Sequence, residues 1–151
     1  MRAFQTTMLA ASLVCCGAAA HAQARPACPL LSSEAATRTV GVRVAEGQAS
    51  PHDTAVSTLC NYARADGGGK GTLLTIEVYW QFARMTYDNL CKQPGTHDAQ
   101  KVPGLGQASC ITGDHLNVLQ GPRVLRVRIH QSGPVPRERL IATAKAVLPG
   151  L

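Results

Sequence analysis

Arg126, Arg128 and His130 recur at every second residue, with Arg123 just ahead of them. On an extended strand, a spacing of two puts such side chains on one face. Arg123, Arg126, Arg128 and His130 therefore read as an anion-binding stripe. Leu125, Val127 and Ile129 alternate with them, which marks the best amphipathic strand in the chain. The same pattern also describes the solvated side of a half-buried antiparallel sheet. The stripe suits an anionic partner but does not by itself require one.

Other residue patterns exclude more than they establish. His52, His97, His115 and His130 form neither H-x-x-x-H nor H-E-x-x-H, so no metal site is expected. No G-x-S-x-G nucleophile elbow occurs. Asp53, Asp66, Glu77, Asp88, Asp98, Asp114 and Glu138 are scattered, mostly in loop-like segments. Gly104-Leu105-Gly106-Gln107-Ala108-Ser109 approaches a dinucleotide fingerprint, but a strand-like segment follows it where a helix is required. Gly67-Gly68-Gly69-Lys70-Gly71 lacks the Walker spacing and reads as a hairpin loop. Tyr79 and Trp80 point to opposite faces of one strand, which gives nucleic acid no stacking platform. No cofactor, metal or catalytic residue is expected.

Export frames the rest. Arg2, the apolar run Met8 to Cys16 and Ala20-His21-Ala22 form the three parts of a signal peptide over residues 1–22. The run is well short of the ~20 residues a spanning helix needs, and no later stretch is long enough, so no transmembrane helix is expected. Leu13-Val14-Cys15-Cys16 is a degenerate lipobox in which Cys16 would carry lipid. Cys15 stands where Gly, Ala or Ser normally precedes the lipidated residue, so a lipid anchor at Cys16 is the less favoured alternative. A periplasmic or secreted location is expected, with lipid anchoring to the envelope as the alternative.

Loss of residues 1–22 removes Arg2 from 15 basic residues and leaves all 9 acidic ones, for a net charge of +5. No dense Lys/Arg cluster accompanies that charge, so it serves solubility at least as readily as a specific partner. The mature length leaves no room for a two-domain enzyme.

Four of the six cysteines remain: Cys28, Cys60, Cys91 and Cys110. Outside the cytoplasm an even number in a small domain reads as a disulfide framework with three pairings available. Cys28–Cys60 and Cys91–Cys110 are expected, because each pair links neighbouring elements. No C-x-x-C supports a redox centre or a zinc ribbon.

The elements that carry these residues follow from period and punctuation. Residues 23–27 read as a flexible leader to a single domain over 28–151. Ser32 or Ser33 caps a helix that Gly41 ends. Ala55 to Ala65 and Thr72 to Trp80 form a hairpin, with Leu74, Ile76, Val78 and Trp80 on one face. Gln81 to Lys92 turns helical before Pro94-Gly95. Ser109 to Thr112, Leu116 to Gln120 and Val124 to His130 are strands joined by short turns. Pro136 to Leu148 is a final helix. Glu46 to Asp53 and His97 to Lys101 read as loop. The expectation is an α+β domain: a mostly antiparallel sheet of about four to five strands, helices packed on one face, braced by disulfides.

Cys28-Pro29-Leu30-Leu31-Ser32, Cys60-Asn61-Tyr62, Val102-Pro103-Gly104-Leu105-Gly106-Gln107-Ala108, Leu116-x-Val118 and an Ala-rich closing helix occur in that order. This pattern resembles the small exported, often lipoprotein-like bacterial domains of unknown function best known from actinobacteria. The resemblance implies an α+β domain with a Cys28–Cys60 bridge and supplies no catalytic residues. Cys91 and Cys110 look like an addition to it. The functional expectation is an exported, non-enzymatic accessory or binding domain, its partner an unknown envelope component, anionic if the basic stripe binds it. The alternative is a small secreted hydrolase or enzyme inhibitor whose site assembles only in three dimensions.

Overall fold

The computed structural model describes residues 24–67, 71–93 and 99–151; residues 1–22, read above as a signal peptide, and Cys16 with them, lie outside the described residues. The described residues hold three α-helices, α1 (Ser33–Val40), α2 (Ala83–Cys91) and α3 (Arg137–Val147), and two short 3-10 turns at Cys28–Leu30 and Leu148–Gly150. Seven strands alternate with them: β1 (Gln48–Ala49), β2 (Ser57–Ala63), β3 (Thr72–Tyr79), β4 (Gln100–Lys101), β5 (Ala108–Thr112), β6 (His115–Gln120) and β7 (Arg123–Ile129). They form one antiparallel sheet in the order β1-β2-β3-β7-β6-β5-β4.

The α+β class and the antiparallel sheet agree with the sequence reading. The strand count does not: there are seven strands, not four to five. Five of them, β2, β3, β5, β6 and β7, cover the segments read as strands. The other two are β1 and β4, two-residue edge strands inside segments read as loop. Two residues carry no measurable hydrophobic period, and both pairs are exposed, so their sequence gives no sign of pairing.

Capping follows local chemistry. Ser32 accepts from the Ala35 N–H at 3.2 Å, and Gly41 ends α1 at φ 72°, the left-handed position that glycine adopts without strain. α1 and α3 pack together over one face of the sheet. Leu74, Ile76, Val78, Leu125, Val127, Ile129, Leu116 and Val118 fill the layer beneath them with Val40, Leu140 and Ala144. Each fully buried Val, Leu or Ile side chain among them contributes about 1.5–3 kcal/mol.

α2 lies on the other face. Ala83 and Tyr87 pack against Leu119 and Val124, which are one residue out of step with Val118 and Leu125 and so point the opposite way. The helices therefore do not share one face, because β6 and β7 are apolar on both sides where they meet. Cys91, at the end of α2, is bonded to Cys110 of β5 and fixes the helix there.

The second bridge joins Cys28 to Cys60 of β2. The Tyr62 hydroxyl donates to the Leu31 carbonyl beside it, and burial pushes that phenol up to about 12. Thr58 donates to the Arg25 carbonyl at 2.7 Å, Ala24 packs against the core and Ala27 is fully buried, so the segment ahead of Cys28 is in contact with the fold from Ala24 onward.

Candidate functional site

α2 covers only one end of its face of the sheet. The side chains on the rest of that face follow from the register, half-buried apart from the buried Asn117 and Cys110. One rung across the strands holds Leu59, Glu77, Arg126, Asn117 and Cys110. The next holds Asn61, Thr75, Arg128, His115 and Thr112. Leu59, Thr75, Glu77, His115, Arg126, Arg128 and His130 enclose a cavity of about 230 Å³ on this face.

Three of the four stripe residues thus meet. Arg126, Arg128 and His130 line the cavity together. Arg123 does not: it is an odd number of residues from the others and falls on the opposite face. Its guanidinium lies 5.1 Å from the centre of the Trp80 ring, a cation–π contact. Trp80 in turn donates to Thr58 Oγ1 at 2.8 Å, which fixes the ring.

His115 and Asp114 were not legible as functional residues. Asp114 sits in the turn between β5 and β6, and its carboxylate spans two partners. Oδ1 lies 2.7 Å from His115 Nδ1, and Oδ2 accepts from Arg128 Nε at 2.8 Å. Burial would raise the Asp114 pKa, but the Arg128 hydrogen bond and the charges of His115 and Arg128 outweigh it and hold the acid below its ordinary range. The adjacent Asp-His pair in a short turn was the signal in the sequence, and only the β6–β7 register reveals that Arg128 joins it.

Burial pushes His115 down to about 4; Arg126 adds to that, Asp114 opposes it, and Arg128 and His130 add further. The ring is therefore neutral at ordinary pH. A neutral imidazole beside a carboxylate keeps its proton on the facing nitrogen, so Nδ1–H donates to Asp114 and Nε2 carries a lone pair. His130 is also lowered, by burial first and Arg128 second, with Asp114 opposing. Its Nε2 lies 2.9 Å from Thr75 Oγ1. Thr75 spends its only proton on Asn61 Oδ1 at 2.9 Å, so His130 Nε2–H is the donor to Thr75.

Arg128 is committed to Asp114, whereas no ion pair holds Arg126 among the described residues. Its Nε is buried without a hydrogen-bond partner, as is Oδ1 of the fully buried Asn117 directly opposite it. Tyr79 flanks the same rung. Burial raises its pKa first, Glu77 raises it further, and Arg126 works against both.

A larger cavity of about 390 Å³ lies beside α2, lined by Arg84, Tyr87, Lys92, Lys101 and the Val102–Ser109 segment. Asp88 pairs with both Arg84, at 3.3 Å, and Lys92, at 2.7 Å, which leaves it a weaker anion site. Among the described residues no group of three or more His, Cys, Asp or Glu could hold a metal ion, and no helix is long and apolar enough to cross a membrane. His52 is exposed, and His97 lies outside the described residues.

No family model, curated protein or solved structure matches this chain.

Proposed function

We propose that this is an exported, non-enzymatic binding domain that holds a small oxyanion on the α2 face of its sheet. One observation carries the reading: Arg126 stands in a concave pocket, without an ion-pair partner among the described residues, beside Arg128, His115 and His130. Two disulfides support an oxidising compartment, in keeping with the signal-like N-terminus, and with it a periplasmic or secreted location. The small mixed-polarity cavity suits a phosphate- or sulfate-bearing envelope component rather than a nucleic acid, whose bases would need aromatic platforms.

Calorimetric titration with inorganic sulfate and inorganic phosphate tests this reading. Arg126→Ala should weaken binding by about tenfold or more, the loss expected for one hydrogen bond to a charged group. Equal affinity in wild type and variant would refute the site.

A second reading, a small hydrolase, rests on the Asp114–His115 pair, which joins an acid to an imidazole beside a pocket. Binding is preferred because no Ser or Cys lines the cavity, and its one hydroxyl, Thr75, has its proton on Asn61. Turnover of nitrophenyl esters or phosphates that is lost in His115→Gln would favour the hydrolase instead.

A further inference from the structure

The stripe on β7 is basic, but the pocket built around it is not. Arg126 faces Glu77 across the β3–β7 register, and Arg128 is paired with Asp114. Two guanidinium groups stand against two carboxylates, so their formal charges cancel, and burial disfavours the charged form of both histidines. An anion entering this space meets donors from the arginines and a pocket with no net charge to balance its own.

The imidazoles make the shortage sharper. His115 Nδ1 is taken by Asp114, which leaves Nε2 as the ring's open nitrogen, and in the neutral ring that atom carries a lone pair. His130 gives its Nε2–H to Thr75 and is left with a lone pair on Nδ1. Both open nitrogens are acceptors. Neither can hydrogen-bond an oxyanion until it gains a proton.

We infer that the pocket takes up its oxyanion together with one proton, and that the proton lands on Nε2 of His115. This rests on the anion-binding reading above. His115 is the better acceptor of the two, because Asp114 Oδ1, 2.7 Å from Nδ1, stabilises the imidazolium directly. His130 touches only the neutral Thr75 hydroxyl. The groups facing His115 are Asp114 in its own turn, Arg126, Arg128 and His130 on β7, and Glu77 with Thr75 across the cavity on β3. Without a ligand the two arginines oppose the proton; a bound oxyanion reverses that balance by placing negative charge among them. No covalent step is involved: one proton moves from solvent to Nε2 on binding and returns on release. The ligand class is a small tetrahedral oxyanion, shared by phosphate and sulfate groups, and favoured by mildly acidic conditions.

Sulfate is the decisive probe because it does not titrate between pH 5 and 8, so any proton taken up belongs to the protein. Titration calorimetry of the protein with sodium sulfate at pH 6, in buffers of different ionisation enthalpy, should show close to one proton taken up per sulfate bound. Affinity should rise by up to about tenfold for each pH unit lowered between pH 7.5 and 5.5, the limit for one linked proton. Parallel titration with inorganic phosphate separates the two sources of the oxyanion by relative affinity. Nitrogen-15 spectra of the histidine rings should show the His115 pKa rising when sulfate is present. His115→Gln should bind sulfate more weakly than the wild type at pH 5.5 and lose the pH dependence; should that variant misfold, the ring titration of the wild type decides alone. Binding without proton uptake, or a proton that lands on Glu77 or His130, would overturn this inference and leave the anion site standing. No binding of either ion would overturn the anion-site reading itself.

Discussion

The Asp114 carboxylate bridges His115 Nδ1 and Arg128 Nε at 2.7 and 2.8 Å, so one turn residue fixes a ring on β6 and a guanidinium on β7. This places an imidazole of fixed tautomer in a pocket whose other cations would oppose its charging.

That arrangement gives a pH signature in stability. His115 has an ordinary pKa of 6.5 in the unfolded chain and about 4 in the fold. The unfolded chain therefore binds the proton first as pH falls. The stabilisation is fully present above pH 6.5 and is lost as pH drops through 4. A displacement of this size corresponds to about 3 kcal/mol at its limit. Urea unfolding of the protein between pH 7 and 4 should show this fall, and His115→Gln should flatten it. An unchanged slope in the variant would show that His115 is not the group responsible.

The two faces of β7 should separate cleanly in mutants. Arg123→Ala removes the guanidinium 5.1 Å from the Trp80 ring and should cost about 0.5–1 kcal/mol in unfolding free energy. Anion affinity should not change, since Arg123 is across the sheet from the pocket. Arg126→Ala should do the opposite, weakening anion binding strongly, with a stability loss confined to its interactions with Tyr79 and Glu77. Both variants assayed by sulfate titration and urea unfolding give a crossed result if the faces are independent.

The split explains what the sequence did and did not disclose. Alternation in β3 and β7 marked Leu74, Ile76, Val78, Leu125, Val127 and Ile129 as core, because burial of one face imposes a period of two. The same period placed Arg126, Arg128 and His130 together. Arg123 breaks the period and went to the other side. The contribution of Glu77 depended on β3 lying beside β7, a neighbour far along the chain, which no local pattern encodes. α2 docked against Leu119 and Val124 because β6 and β7 have consecutive apolar residues there, a run that cannot say which layer covers it.

Two glycines are held by close contact rather than by turn shape alone. A Cβ on Gly47 would sit 2.5 Å from Cys60 Sγ and 2.8 Å from the Tyr62 ring. One on Gly106, at φ +62°, would meet the Leu119 carbonyl and Val118 Cγ1, each at 2.6 Å. Gly47→Ala and Gly106→Ala should each destabilise by about 1–3 kcal/mol, the range for overfilling a packed site. Gly104→Ala is the control: nothing lies within 4 Å of its Cβ, so only the φ of +74° is strained, and the loss should be about 1 kcal/mol. Thermal unfolding of the three variants should rank Gly104→Ala mildest.

The Cys91–Cys110 bridge should govern one layer rather than the whole fold. It spans 19 residues and anchors α2, whose apolar contacts on that face are few: Ala83 and Tyr87 against Leu119 and Val124, with Tyr79, Leu90 and Ala108 packed around them. The core under α1 and α3 lies on the other side of the sheet and does not touch the bridge. Replacing both cysteines with serine should therefore cost about 3 kcal/mol by loop entropy, with the loss concentrated in α2. Hydrogen exchange reads the distribution directly. Amides of Ala83–Cys91 should lose protection by orders of magnitude more than those of β3 and β7. The anion pocket should survive, because Arg126, Arg128 and His115 are set by the β6–β7 register and by Asp114 in the adjoining turn; the bridge touches β6 only where Asn117 Nδ2 donates to Cys110 Sγ at 3.7 Å. Uniform loss of protection across the sheet would mean instead that α2 and the core fold as one cooperative unit.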